Sequence, residues 1–553
     1  MNATEKKVLV ILAGGGAALV LAAVVFILSF DINSYRPRIE AAASGAIDLE
    51  VRIKGKMGLS IFPFGILAKD IRVTNKGVEV LSLESLNLDA ELGPLLKKQL
   101  KITRCELVKP SFSIVKEVNG IYNYESLEQK KAAEGPGAAF RLSDLRLSRG
   151  VLVYLDRKTG EKTELRDLNL TVRDFSAFGD IVKSASFTGS FDCREVLQKD
   201  SRIEKLRATV KAVRGIYSFE PLTIGSLVYS GGKTGEKTGL KDIDLAIRDL
   251  AVRDISGKGA KSLSFTGTLG CREIRKGAFG IDNVRSPIKA EKGVISLTTL
   301  TMDIFGAKAE GDITMEKPET GVEYKINMKV LGLDFAKLQE SFGTKKVIGG
   351  KGDLYTSLLI REKRDHKVIN GMDGIFSLRG DNLVMHTMDL DKVLSSFESS
   401  QKFTLVDLGA FFIAGPLSTV ALKGYRYGDV YNQTRGGLGA ITQFISQWKI
   451  KGGVAEAVDC ALATKHNRIA LKGSLDFVGE RYDNVIVALL DAKGCAKFKQ
   501  KISGPFGSPE IGAVSAVESL AGPISDLFRK AKRFLRGGSC EVFYNGAVQQ
   551  PPR

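Results

Sequence analysis

The sequence predicts a mainly β protein: an N-terminal transmembrane helix, then an elongated, repetitive antiparallel β-sheet with a few short helices. Three observations predict it. Residues 8–30 form one uncharged apolar run. From Leu49 onward the hydrophobic period is two. Segments of this alternating body recur about 75 residues apart.

The run VLVILAGGGAALVLAAVVFILSF reaches roughly 34 Å as a helix, enough for a hydrocarbon core of about 30 Å. It is longer than a signal-peptide core, and the small-residue patch Ala41-Ala42-Ala43 lies too far downstream for cleavage. An uncleaved anchor is therefore expected, with residues 1–7 as a cytoplasmic tail. Lys6 and Lys7 before the run are nearly balanced by Arg36 and Arg38 after it. The orientation rests on the economy of a short tail inside and a long body outside.

Next, Ser34-Tyr35-Arg36-Pro37 reads as a helix start, with Ser34 as cap and Gly45 as stop. The strands follow. Leu86, Leu88, Ala90 and Leu92 alternate with polar residues, as do Leu168, Leu170 and Val172, and Ile243, Leu245 and Ile247. Such strands carry one apolar and one wet face. Arg157-Lys158-Thr159-Gly160-Glu161-Lys162-Thr163 recurs as Gly232-Lys233-Thr234-Gly235-Glu236-Lys237-Thr238. Cys193-Arg194-Glu195 recurs as Cys271-Arg272-Glu273, so the duplicated blocks span about 144–200 and 222–275. A repeated unit that cannot bury its own face stacks on its neighbours. Gly231-Gly232-Lys233-Thr234 imitates a phosphate-binding loop, but Leu227 stands where that loop needs glycine. It reads as a hairpin turn.

Helical patterns are few. Residues 389–397 and 438–448 are two candidates. The third, 524–535, places Ile524, Leu527, Phe528 and Phe534 on one stripe and Arg529, Lys530, Lys532 and Arg533 on the other side. It fits a membrane-surface helix or a plug at the end of the sheet.

The chain has 553 residues and a formal charge of +18, but its cations are scattered among acids at alternate positions. They read first as solvated outer faces of strands, with adjacency to an anionic membrane surface as the alternative, and with no nucleic-acid partner. The six cysteines show no CxxC spacing, which gives no support for a metal site; Cys495 and Cys540 are the preferred disulfide pair. His366, His386 and His466 sit near no triad or metal partner. With no GxSxG elbow either, no catalytic residue, cofactor or metal is expected.

Several motifs in one order resemble the AsmA family of bacterial envelope proteins. They are Asp31-Ile32-Asn33-Ser34-Tyr35-Arg36-Pro37, then Gly55-Lys56-Met57-Gly58-Leu59 and Asp70-Ile71-Arg72-Val73-Thr74-Asn75. Val108-Lys109-Pro110-Ser111-Phe112 and Asn119-Gly120-Ile121-Tyr122-Asn123-Tyr124 follow, with Tyr124 where the family usually shows Trp. Phe305-Gly306-Ala307-Lys308 and Ile502-Ser503-Gly504-Pro505-Phe506-Gly507 mark the later body. The resemblance implies a bacterial inner-membrane protein with its body in the periplasm: an AsmA-like N-terminal β-region over 31–335, a C-terminal one over 336–512, and a helix and tail over 513–553. It also implies a sheet curled into a groove that shields phospholipid on its way to the outer membrane, with a mouth beside the short helix. Leu86, Leu88, Leu92, Leu168, Leu170, Val172, Ile243, Leu245 and Ile247 would line that groove. The alternation alone favours the dry core of closed sandwiches. A scaffold that pairs its sheet edge with outer-membrane protein strands is the alternative function.

Overall fold

The computed structural model describes residues 31–61, 64–91, 102–125, 140–177, 184–230, 236–252, 263–318, 321–342, 346–362, 371–386, 389–392, 437–516 and 541–551. The expected anchor 8–30, the helix 524–535, Leu92 and Cys540 lie outside them. Of the helix expected at 389–397, residues 390–392 are helical and the rest lies outside. Among the described residues no helix is long and apolar enough to cross a membrane. The chain divides into two compact units, Met1–Val252 and Arg253–Arg553.

Unit 1 opens on a 3-10 turn, Ile32–Tyr35, which runs into helix α1, Arg36–Ile47. The cap differs from the expected one. Asp31 accepts from the Asn33 N–H at 3.0 Å, while Ser34 donates its hydroxyl back to the Asp31 carbonyl. The helix also passes Gly45, whose lost entropy costs only about 1 kcal/mol inside a helix. It stops at Asp48, which takes the left-handed conformation (φ 56°) that Asp tolerates.

The strands of unit 1 are β1 (Glu50–Ile53), β2 (Met57–Ile61), β3 (Phe64–Asn75), β4 (Val78–Ala90), β5 (Ile102–Val108) and β6 (Ser111–Lys116). Then come β7 (Phe140–Asp156), β8 (Lys162–Ala177), β9 (Ser186–Gln198), β10 (Ser201–Val213), β11 (Ile216–Ser230) and β12 (Lys237–Val252). β1 and β2 both pair with β3, and β3 with β4. From β7 to β12 each strand pairs antiparallel with the next. The expectation of a purely antiparallel sheet fails at one place. β5 and β6 lie between β4 and β7, and both run parallel to β7. Short hairpins force antiparallel pairing, whereas the long connection after β6 permits a parallel return. Alternation carries no information about strand direction.

Unit 2 continues with β13 (Leu263–Lys276), β14 (Phe279–Glu291), β15 (Val294–Ile304), β16 (Ala307–Glu316), β17 (Val322–Asp334), helix α2 (Phe335–Ser341), β18 (Ile348–Gly349) and β19 (Lys351–Glu362). It closes with β20 (Met372–Met385), β21 (Gly439–Lys451), β22 (Val454–Ala463), β23 (Arg468–Asp476), β24 (Arg481–Leu490) and β25 (Ala496–Pro505). The helix expected at 438–448 is strand β21. Its Phe444 and Ile445 are both buried on opposite faces, so the strand reads as a nearly continuous apolar run that also satisfies helical spacing.

The duplication is a four-strand cassette: β7–β10 in the first copy, β11–β14 in the second. Left-handed residues recur with it, Asp167 with Asp242, Asp174 with Asp249, Lys205 with Asn283 and Arg214 with Lys292. The false phosphate loop is a hairpin turn in its first copy, where Asp156 accepts from the N–H groups of Lys158 and Thr159. Its second copy lies largely outside the described residues.

Candidate functional site: an apolar face across unit 1

Pairing register decides whether apolar residues on separate strands form one surface. In unit 1 they do. Met57, Ala68, Leu86, Leu107, Leu147, Leu170, Phe191, Ala208, Leu222 and Leu245 are successive register partners from β2 to β12. Two residues along the strands, Leu88, Cys105, Leu145, Val172, Gly189, Val210, Phe219 and Ile247 form a second row. On the other side, Leu168, Cys193, Leu206, Ile224 and Ile243 form a third. Eight of the nine residues expected to line a groove fall in these three rows; the ninth, Leu92, lies outside the described residues.

The face is covered unevenly. At its first strands, Ile32, Ile39 and Ala43 pack on Val51, Ile53, Met57, Ile71, Val73 and Leu83. The expected mouth beside the short helix is thus occupied by that helix. Further along, Leu147, Leu168 and Cys193 form a smaller cluster with Phe112, Leu165, Leu170 and Phe191. Leu86, Leu88, Leu170, Ile243, Leu245 and Ile247 are half-buried; Leu168 and Val172 are buried. Burial raises the Cys105 and Cys193 thiols above their ordinary values, and Cys193 Sγ contacts the backbone carbonyls of Arg166 and Glu195.

The opposite face carries the charge. Arg104 and Arg146 both bind Asp144, at 3.4 and 2.9 Å. Arg166 bridges Glu164 and Glu195, and Arg202 joins Glu195 to Glu204. Some of the scattered cations of the sequence are members of such pairs, within a strand or across two.

The N-terminal edge of the sheet is closed by side chains of the turn and α1. The Val51 N–H donates to Ser44 Oγ at 2.9 Å and the Ile53 N–H to Glu40 Oε1 at 2.6 Å. Asn33 accepts from the Met57 N–H and donates to the Met57 carbonyl, and Arg36 donates to the Gly55 carbonyl. These four residues were not among the expected site residues. Their partners are 7 to 24 positions away, which no local pattern reveals.

Unit 2 has a different surface. Its later strands are buried on both faces, and residues 541–551 lie over one of them. Tyr544 and Val548 pack on Ala461, Ala463, Ala470 and Ala488. Tyr544 donates its hydroxyl to Asp459 at 2.6 Å and accepts from the Val548 N–H; Arg468 donates to the Val548 carbonyl and stacks on the Tyr544 ring. Burial, reinforced by the Asp459 hydrogen bond, raises the Tyr544 hydroxyl well above the ordinary tyrosine value. Cys495, which bridges to Val542, is disulfide-bonded, while Cys105, Cys193, Cys271 and Cys460 are free thiols.

Fold and face together define a repetitive β-protein with one apolar and one charged side. Residues 5–223 match the AsmA family. Neither the curated proteins nor the solved structures searched contain a match.

Proposed function

We propose that this protein is held at the bacterial inner membrane by residues 8–30, and that its periplasmic body shields phospholipid acyl chains on the apolar face of unit 1. It would thereby support lipid homeostasis of the outer membrane without catalysing a reaction. The observation that carries the reading is the register: one row of apolar side chains runs from β2 to β12 with two shorter rows beside it, while much of the face stays half-buried. A methylene in water costs about 0.8 kcal/mol, so two exposed acyl chains cost on the order of tens of kcal/mol. A continuous apolar surface removes that cost without selecting one lipid. The AsmA match over residues 5–223 supports the setting, and the disulfide at Cys495 suits an oxidising compartment.

The alternative, a scaffold that pairs its sheet edge with client strands, has an observation against it. Along this edge the amides of Val51, Ile53 and Met57 already have partners in Ser44, Glu40 and Asn33. Mass spectrometry of the full chain, purified in detergent without added lipid, tests the proposal. Co-purified phospholipid near stoichiometry is expected; protein that emerges lipid-free and takes up no phospholipid when offered it sinks the reading.

A further inference from the structure

We propose that the outer face of the β1–β3 edge is a docking surface for an anionic phospholipid bilayer. Val51, Ile53 and Met57 are buried on the apolar side, which leaves Arg52, Lys54 and Lys56 exposed on the other. Arg52 stands directly opposite Arg72 in register, an unfavourable like-charge pair. Each of those arginines has acids nearby, Glu50 and Glu40 for Arg52, Asp70 and Glu79 for Arg72. Lys54, Lys56 and Lys69 have no salt bridge among the described residues. Arg38 is exposed over the ring of Tyr35, which is itself 40 % exposed.

The cluster is built on a fixed frame. The Gly55 N–H donates to the Lys69 carbonyl at 3.0 Å and the Lys69 N–H to the Lys56 carbonyl at 3.2 Å. A Cβ at Gly55 would stand 2.6 Å from the Lys69 carbonyl oxygen, so the strands approach too closely for any other residue. Arg36 holds the same Gly55 carbonyl from the helix side. Repelling cations are thus kept together by backbone geometry, an arrangement that an external anion stabilises.

Two features choose a bilayer as that anion. The patch lies within about 40 residues of the end of the apolar run at Phe30. The Val51, Ile53 and Met57 amides of this edge are already hydrogen-bonded to the turn and α1, which disfavours strand addition there. Each basic residue near an anionic surface contributes about fivefold in affinity. The inference is independent of whether the apolar face carries lipid.

The test uses the full chain in nanodiscs of phosphatidylcholine alone or mixed equally with phosphatidylglycerol. Lysine acetylation rates are read by mass spectrometry. Lys54, Lys56 and Lys69 should react several-fold more slowly in the anionic discs, and the protection should vanish in high salt. Lys211 and Lys451, both exposed elsewhere, should react equally in both discs. Equal rates for the three patch lysines in the two discs would overturn the proposal. So would full protection by inorganic phosphate added to phosphatidylcholine discs, which would mean a discrete phosphate site. In the variant K54Q/K56Q/K69Q, anionic discs should no longer slow deuterium exchange over residues 52–57, with circular dichroism unchanged. Retained slowing in that variant would also count against it.

Discussion

At the scale of single residues, a four-residue motif keeps the apolar face continuous. It reads apolar, basic, Asp, apolar: Ala68-Lys69-Asp70-Ile71, Leu165-Arg166-Asp167-Leu168, Val172-Arg173-Asp174-Phe175, Leu240-Lys241-Asp242-Ile243 and Ile247-Arg248-Asp249-Leu250. In every copy the Asp is left-handed, with φ between 49° and 56°. One extra residue in a strand would flip all later side chains to the wrong face. At Asp174 and Asp249 the pairing register shifts by one residue, the mark of a bulge that absorbs it. Asp174→Val should therefore cost about 1–2 kcal/mol, because a β-branched residue resists φ near 52°. Asp174→Gly should be close to neutral; a urea midpoint for each variant decides it. A second expectation concerns Cys460. Burial pushes its thiol up to about 12, so a soluble alkylating reagent at neutral pH should leave it unmodified until the protein unfolds. Labelling of the native protein would reveal local opening of β22.

At the scale of elements, α1 and the 541–551 segment each cover part of a sheet by polar contacts. Asn33→Ala strips partners from both backbone groups of Met57 and should cost about 1–3 kcal/mol, with faster amide exchange at Met57 as the readout. Tyr544→Phe removes the hydroxyl that links Asp459 to Val548 and should speed proteolysis within 541–551 while β21–β25 stay protected. Alkali should act in the same direction. The Tyr544 hydroxyl is held protonated in the fold, so its stabilisation is complete below the model-compound value of 10.0 and declines as pH climbs above it. Fluorescence of a probe on the segment, followed from neutral to alkaline pH, checks the sign. Neither cover was legible beforehand. The helix itself was visible from its Pro and small residues, but its capping contacts join residues far apart in sequence. Helical spacing at 438–448 misled for a physical reason: a strand buried on both faces has no polar alternation left to betray it.

At the scale of the whole molecule, the three apolar rows were partly legible. Leu86, Leu168, Leu170 and Leu245 stand out because polar residues alternate with them. Leu147, Phe191 and Leu222 belong to the same surface and went unnoticed, since only pairing register connects them. A charge set into the face tests its use. Leu170→Asp and Leu245→Asp replace half-buried residues, and each should abolish lipid crosslinking while circular dichroism stays unchanged. Global unfolding of either variant would mark the face as a closed core.

The cassette β7–β10 and its copy β11–β14 contain an even number of strands, and each brings its own left-handed Asp residues. An even insertion returns the chain to the same rim, heading the same way, with the same side apolar. Genes encoding such a chain can therefore grow by in-frame duplication of whole cassettes. Each such gain asks nothing new of the residues on either flank.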